Sequence, residues 1–360
     1  MKEKKFTYME YLRVIGALSV IIVHVSGQNW FRTAIGTYDW NDQTLYNVGC
    51  RFGLYTFCMI TGALFLRPDK EISYREIATK YVKRVLIIFL VWTILYALFY
   101  TFLEGEDLQY FLRRLVKLPK HLWYLLMLIS LYITLPVARQ ITKDRKVTLY
   151  LIWMLIIYGT IFGQISGLTG FFSDYAGDSV GFSMWEDFLG DLENINSTFV
   201  PGYFGCFLLG HYIHEYGLGK WHKKVITLAI PALLISGGLT ILLSTITEKR
   251  VYTLMMETNP LLVLGGVGAF AYFKEAVGPG KRLDPESKLT KCVEWMGPNC
   301  LGIYLLHIMV LESLSHWFGL TVASYPAIFS VPLNSLLIFC ISLLITAGLR
   351  KIPGIRRVIS

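Results

Sequence analysis

Charge is what this sequence has least of. Asp, Glu, Lys and Arg together make up 16% of its 360 residues, where a soluble domain carries roughly 25%. So few polar side chains exclude a conventional soluble globule. Acidic residues are scarcer than basic ones, 25 against 34. Cysteine is sparse as well: Cys50, Cys58, Cys206, Cys292, Cys300 and Cys340 stand in or beside apolar runs with neither paired nor metal-like spacing, the pattern of buried free thiols. No glycine-rich phosphate loop, low-complexity stretch or internal repeat is visible, and nothing resembles a soluble nucleic-acid module.

What is present is apolar. Hydrophobic residues make up 54% of the chain and its mean hydropathy is +0.50. Runs of the length needed to cross a bilayer, roughly 17 to 25 residues, are read at 8–29, 44–66, 82–103, 121–138, 147–167, 199–216, 225–246, 253–273, 295–314 and 327–349. These predict an all-α polytopic membrane protein of about ten transmembrane helices, in one domain over residues 1–360. Of the Lys and Arg residues, 25 fall in the tails and loops on the side of the termini, 7 in the opposite loops, and two, Arg13 and Arg51, within spans. That bias places both termini in the cytoplasm and makes the net charge of +9 a topology signal. The first apolar stretch is too long for a cleavable signal and lacks a clear small-residue cleavage site, so it stays as the first helix of a multi-pass cell-membrane protein.

Arg13 and His24 both lie inside that first helix. At about 100° and 1.5 Å per residue, eleven positions return a helix to within about 20° of its starting direction and climb about 16 Å. The two side chains therefore share one stripe at two depths. Ionisable groups at membrane depth face the protein interior or a water-filled cavity and are functional candidates. His307 lies in the ninth span and is read in the same way. His121, beside Trp123 and Tyr124, suits either an interfacial anchor or a part in chemistry. An imidazole moves protons near neutral pH and activates hydroxyls, whereas the carboxylates and spacing of a metal site are lacking, so no metal is expected. Residues 104–120, basic at Arg113, Arg114 and Lys117, suit an amphipathic surface helix. Residues 168–198 interleave Phe171, Phe172, Tyr175, Phe182 and Trp185 with Asp174, Asp178, Glu186, Asp187, Asp191 and Glu193. That pattern fits either a carbohydrate surface or a solvated cap.

Several segments in order resemble the acyltransferase family 3 membrane proteins. They are Leu12-Arg13 with His24, the basic stretch Lys80-Tyr81-Val82-Lys83-Arg84 running on to Trp92, His121-Leu122-Trp123-Tyr124-Leu125, Gly202-Tyr203-Phe204 with Leu209-Gly210, and Gly302-Ile303-Tyr304-Leu305-Leu306-His307. The resemblance spans nearly the whole chain. It implies a ten-helix enzyme that takes an acyl group, usually acetyl, from cytoplasmic acyl-CoA and delivers it to a cell-surface glycan or lipid-linked sugar. By position His24 matches the family's proposed catalytic histidine, Arg13 its partner, and Tyr304 and His307 its late helix motif. Lys83 and Arg84, with Lys80, match a basic motif proposed to contact CoA phosphates. Two departures stand out: lysines replace arginines that many members carry in that motif, and Cys300 stands where many have serine.

The expected chemistry is general-base catalysis. His24 would take the proton of the acceptor hydroxyl, Arg13, Arg51 or Tyr304 would stabilise the oxyanion or place the thioester, and Arg51, His121, Trp123 and Tyr124 would line the acceptor side. A thiol relay through Cys300 and packing at that position are both open. Buried Arg and His in a polytopic chain also describe a proton-coupled carrier of small solutes or amino acids, the alternative from a different class.

Overall fold

The computed structural model describes residues 6–117, 119–176, 185, 201–256 and 258–359. Local capping sets most helix starts. Helix α1, Thr7–Gly27, opens the chain. Helix α2, Tyr38–Phe65, starts where Thr37 accepts from Trp40 N and is interrupted at Arg51. Helix α3, Tyr74–Glu104, begins at Ser73, which accepts from Glu76 N, passes through a π turn at Ile77–Val82, and stops at left-handed Gly105. Asp107 caps the short α4, Leu108–Val116. A 3-10 turn at Lys120–Leu122 then leads into α5, Trp123–Ile141.

Asp144 caps α6, Arg145–Phe172, and α7 is Pro201–Tyr216. Helix α8, His222–Thr247, precedes α9, Pro260–Ala276. Ser287 caps α10, Lys288–Phe318, which is followed by α11, Ala327–Leu349, and by a single turn, α12, Arg356–Ile359. Among the described residues no strand pairs into a sheet; the one bridge joins Val277 to Leu283.

Nine helical runs among the described residues are long and apolar enough to cross a membrane. Ten spans were expected; helix α7, sixteen described residues packed against α2 and α6, falls where the sixth was read and is not among the nine. The chain is therefore a multi-pass membrane protein. Its lipid face is legible on α3, where Leu86, Leu90, Ile94 and Leu98 recur every fourth position and are all exposed. In water such a stripe would aggregate, and in hydrocarbon it is the solvent-matched surface.

Three boundaries differ from the sequence reading for physical reasons. Helix α2 begins six residues before the expected 44, because polar Thr37-Tyr38-Asp39 supplies a cap beyond the apolar run. Helix α3 extends below 82 as a basic, partly exposed turn. Helix α9 itself starts at Pro260, where Asn259 accepts from Leu261 N and Pro260 occupies the first turn, although the spanning run opens with a 3-10 turn at the expected 253. The short α4 forms where an amphipathic surface helix was expected, with Leu108, Leu112 and Val116 exposed along one side.

Helix α1 runs through the middle, packed against α2, α9, α10 and α11. Its first turn and the first residue after α11 meet at the same place on α10: Glu10 lies against Gly297, and Arg350 Nη1 donates to Asn299 Oδ1 at 2.9 Å. Both terminal segments therefore sit at one end of the bundle. The tightest crossing joins α2 to α7. A Cβ added at Gly62 would lie 1.7 Å from the Phe207 carbonyl oxygen, and one at Gly210 would lie 2.1 Å from that of Met59. Helix association in lipid relies on such backbone contact because no hydrophobic drive separates helix from lipid.

Gly62→Ala and Gly210→Ala are each expected to cost about 1 to 3 kcal/mol through overpacking, read as a lowered thermal midpoint in detergent. Gly238→Ala, at a helical site with open space around it, should leave the midpoint unchanged or raise it. Equal midpoints for all three variants would refute the close α2–α7 crossing.

Candidate active site

The central feature is a group of three imidazoles from three separate parts of the chain. Helix α1 carries His24 near its end, α10 carries His307, and the turn before α5 carries His121. Ring centroids are 5.0 Å apart for His24 and His307, and 5.5 Å apart for His121 and His307. His307 is fully buried, and its Nδ1 lies 2.5 Å from the Tyr304 carbonyl oxygen. A carbonyl only accepts, so Nδ1 bears a proton, and in the neutral ring Nε2 then keeps the lone pair. That Nε2 and the Nε2 of His121 are buried with no hydrogen-bond partner among the described residues.

Aromatic hydroxyls hold the group in place. Tyr304 donates to the His121 carbonyl, which ties the turn to α10. Tyr96 donates to the Leu305 carbonyl at 2.8 Å and packs its ring 4.6 Å from that of His121. On the other side, Asn47 links α2 to α1: its Nδ2 donates to the Val23 carbonyl at 2.8 Å and to Ser26 Oγ at 3.1 Å, while its Oδ1 accepts from Arg51 Nε at 3.0 Å. One amide thus sets Arg51 beside the backbone that presents His24.

His24, Arg51, His121, Trp123, Tyr124 and Tyr304 line a chamber of about 250 Å³. Val20, Leu54, Tyr124 and Tyr304 form its wall towards a second chamber of about 480 Å³, lined by Arg13, Arg84, Cys300, Arg350 and Arg356 among others. Arg84 and Arg356 belong also to a third, open basin of about 770 Å³ with Lys80, Lys83 and Arg357. Among the described residues no carboxylate lines this basin. The three spaces follow one another, from a cationic mouth at the end bearing the termini to the histidines.

Of the candidate site residues read from the sequence, all but His307 line one of these spaces, though not in one place; His307 packs against His24 and His121 without lining any of the three. Arg13 and His24 share a stripe as expected and open into different chambers. Arg13 Nη1 donates to Glu10 Oε1 at 2.7 Å, and Glu10 is 5% exposed. His121 is also 5% exposed, so it is a buried member of the group and no interfacial anchor, whereas Trp123, at 38%, forms the rim. Lys80 pairs with Glu76 at 2.7 Å. Cys300 is buried in the second chamber, apart from the imidazoles.

Four residues escaped the sequence reading: Glu10, Arg350, Arg356 and Arg357. Glu10 had a signal in its i, i+3 spacing from Arg13, while the three arginines were absorbed into the topology count. Asp178, Phe182, Glu186, Asp187, Asp191 and Glu193 lie outside the described residues. No group of three His, Cys, Asp or Glu among the described residues has the geometry of a metal site.

Comparison with known families gives one result. The family model for an acyltransferase domain matches residues 6–350, nearly the whole chain. No curated protein and no solved structure matches.

Removing the Tyr304 hydroxyl tests the frame. Tyr304→Phe is expected to lose about 1 kcal/mol of stability and to raise hydrogen–deuterium exchange over residues 120–124. Unchanged exchange there would show that the turn bearing His121 is held by something else.

Proposed function

The chain belongs to the acyltransferase family matched above, and on that premise we propose that this membrane acyltransferase moves an acetyl or other short acyl group from cytoplasmic acyl-CoA to a hydroxyl of a cell-surface glycan or lipid-linked sugar. The observation that carries the reading is the series of spaces, cationic at the end bearing the termini and lined with imidazoles at the other. In this reading that cationic end faces the cytoplasm of a cell-membrane protein, as the positive-inside bias expects. An anionic nucleotide cannot enter hydrocarbon, whereas a thin thioester arm fits a narrow polar shaft.

The residues fit such a donor. Lys83 and Arg84 offer charge to phosphates in a basin that no carboxylate lines among the described residues, and Lys80 adds to them while paired with Glu76. Arg13, steadied by Glu10, lies beside the path above them. The donor's acyl end would reach the wall formed by Val20, Leu54, Tyr124 and Tyr304, while the acceptor would enter past Trp123, whose ring offers a flat face to a sugar.

His24 then takes the proton of the acceptor hydroxyl as its oxygen bonds to the thioester carbonyl carbon. Negative charge develops on the carbonyl oxygen. Arg51 is the better-placed group to stabilise it, because it lines the His24 chamber and the Tyr304 proton is already committed to the His121 carbonyl. As the carbon–sulfur bond breaks, His24 returns the proton to the departing thiolate. His307, with its Nδ1 proton fixed, supplies a neutral acceptor nitrogen beside His24 and tunes its ring. Cys300 packs in the second chamber and takes no part.

Acetyl-CoA binding to the detergent-solubilised protein by calorimetry is expected to weaken at least tenfold in Lys83→Ala/Arg84→Ala and to stay within a few-fold in His24→Ala. Transfer of labelled acetyl to membrane glycan should fall by roughly 10² to 10⁴-fold in His24→Ala. Normal transfer in that variant would end the general-base assignment. Folded wild type that binds no acyl-CoA would shift the reading to a carrier.

A further inference from the structure

The cationic basin has two walls, and only one belongs to α3. The other is the segment after α11, which turns back at Pro353 and Gly354 and presents Arg356 and Arg357 towards the space shared with Lys80, Lys83 and Arg84. The segment is held in the fold. Trp92 Nε1 donates to the Val358 carbonyl at 2.9 Å, and Ile359 is 1% exposed against α10 and α11. Arg350 sits one level further in. It lines the second chamber and donates through Nη1 to Asn299, while its Nε is buried with no partner among the described residues. The matched acyltransferase domain ends at residue 350, so Arg356 and Arg357 lie beyond it.

We propose that Arg356 and Arg357 form the second half of a phosphate clamp, closing on the phosphate-bearing end of the donor opposite Lys83 and Arg84. The inference rests on the acyl-CoA reading above and adds the residues that complete its site. Guanidinium groups supply the planar, two-pronged donors that lysine lacks. They offset the lysines that stand in the basic stretch of α3. Arg84 and Arg356, shared by basin and second chamber, mark the neck where phosphates stop and the uncharged arm continues. Phosphate chemistry at this depth could come from a soluble nucleotide donor or from an anionic lipid headgroup, and the test separates the two.

Calorimetry with acetyl-CoA and with acetyl-pantetheine, which has no phosphate, would compare wild type, Arg356→Ala/Arg357→Ala and Arg356→Lys/Arg357→Lys. Both variants change exposed side chains, and their thermal midpoints should match wild type. The alanine pair is expected to weaken acetyl-CoA at least tenfold and leave acetyl-pantetheine unchanged, with the lysine pair in between. If wild type binds acetyl-CoA and the alanine pair binds it equally well, the clamp is refuted while the acyl-CoA reading stands. If the alanine pair instead loses only phosphatidylglycerol co-purified with wild type, the ligand is a lipid headgroup and the proposal fails. Wild type that is folded yet binds no acetyl-CoA overturns the underlying reading itself.

Discussion

Hydrocarbon offers no hydrogen bonds, so each polar group at membrane depth must be satisfied by the protein or by a cavity within it. Most of this bundle follows from that constraint. Arg13 has Glu10, Arg51 has Asn47, Tyr96 has the Leu305 carbonyl and Tyr304 has that of His121. Among the described residues some buried atoms keep no such partner: the Nε2 atoms of His121 and His307, the second oxygen of Glu10 and the Nε of Arg350 lie at or beside the chambers, and others, on Trp40, Gln164, His211 and Ser342, lie elsewhere in the bundle.

The spacing of the chambers divides labour along the membrane normal. Charge is gathered at the wide basin, where a phosphate-rich molecule can be held without leaving water. Imidazoles are gathered at the narrow end. Between them stands a thin wall of Val20, Leu54, Tyr124 and Tyr304. Under the proposed function, such a partition would let two reactants approach from opposite sides without either crossing the bilayer. It depends on close helix contacts, since the glycine-lined crossing of α2 on α7 fixes where α2 places Leu54 and Arg51.

Much of this was legible in the sequence because lipid makes sequence speak plainly. Runs of apolar residues long enough to span have few alternatives, and their charge bias orients them. The stripe from Arg13 to His24 followed from helix geometry alone. Helix ends were less legible: hydropathy sees the membrane and not the caps, so Thr37 and Asn259 moved two boundaries. Convergence of His121 on His307 was invisible because it depends on long-range packing between a turn and α10. Arg356 and Arg357 were counted correctly as basic residues, but nothing local distinguishes a topology charge from a ligand-facing one. That distinction arises only when the segment folds back on Trp92.

Helix α4 carries a consequence of its own. Its exposed apolar edge of Leu108, Leu112 and Val116 rides the lipid surface like a float, while Arg114 grips Glu104 and the ring of Tyr100 at the end of α3. Five residues after Val116 the chain reaches His121. A helix seated on lipid this close to His121 would tie the depth of the turn that carries it to the depth of the bilayer surface, so lipid thickness would be felt at the imidazoles without any lipid entering the chamber.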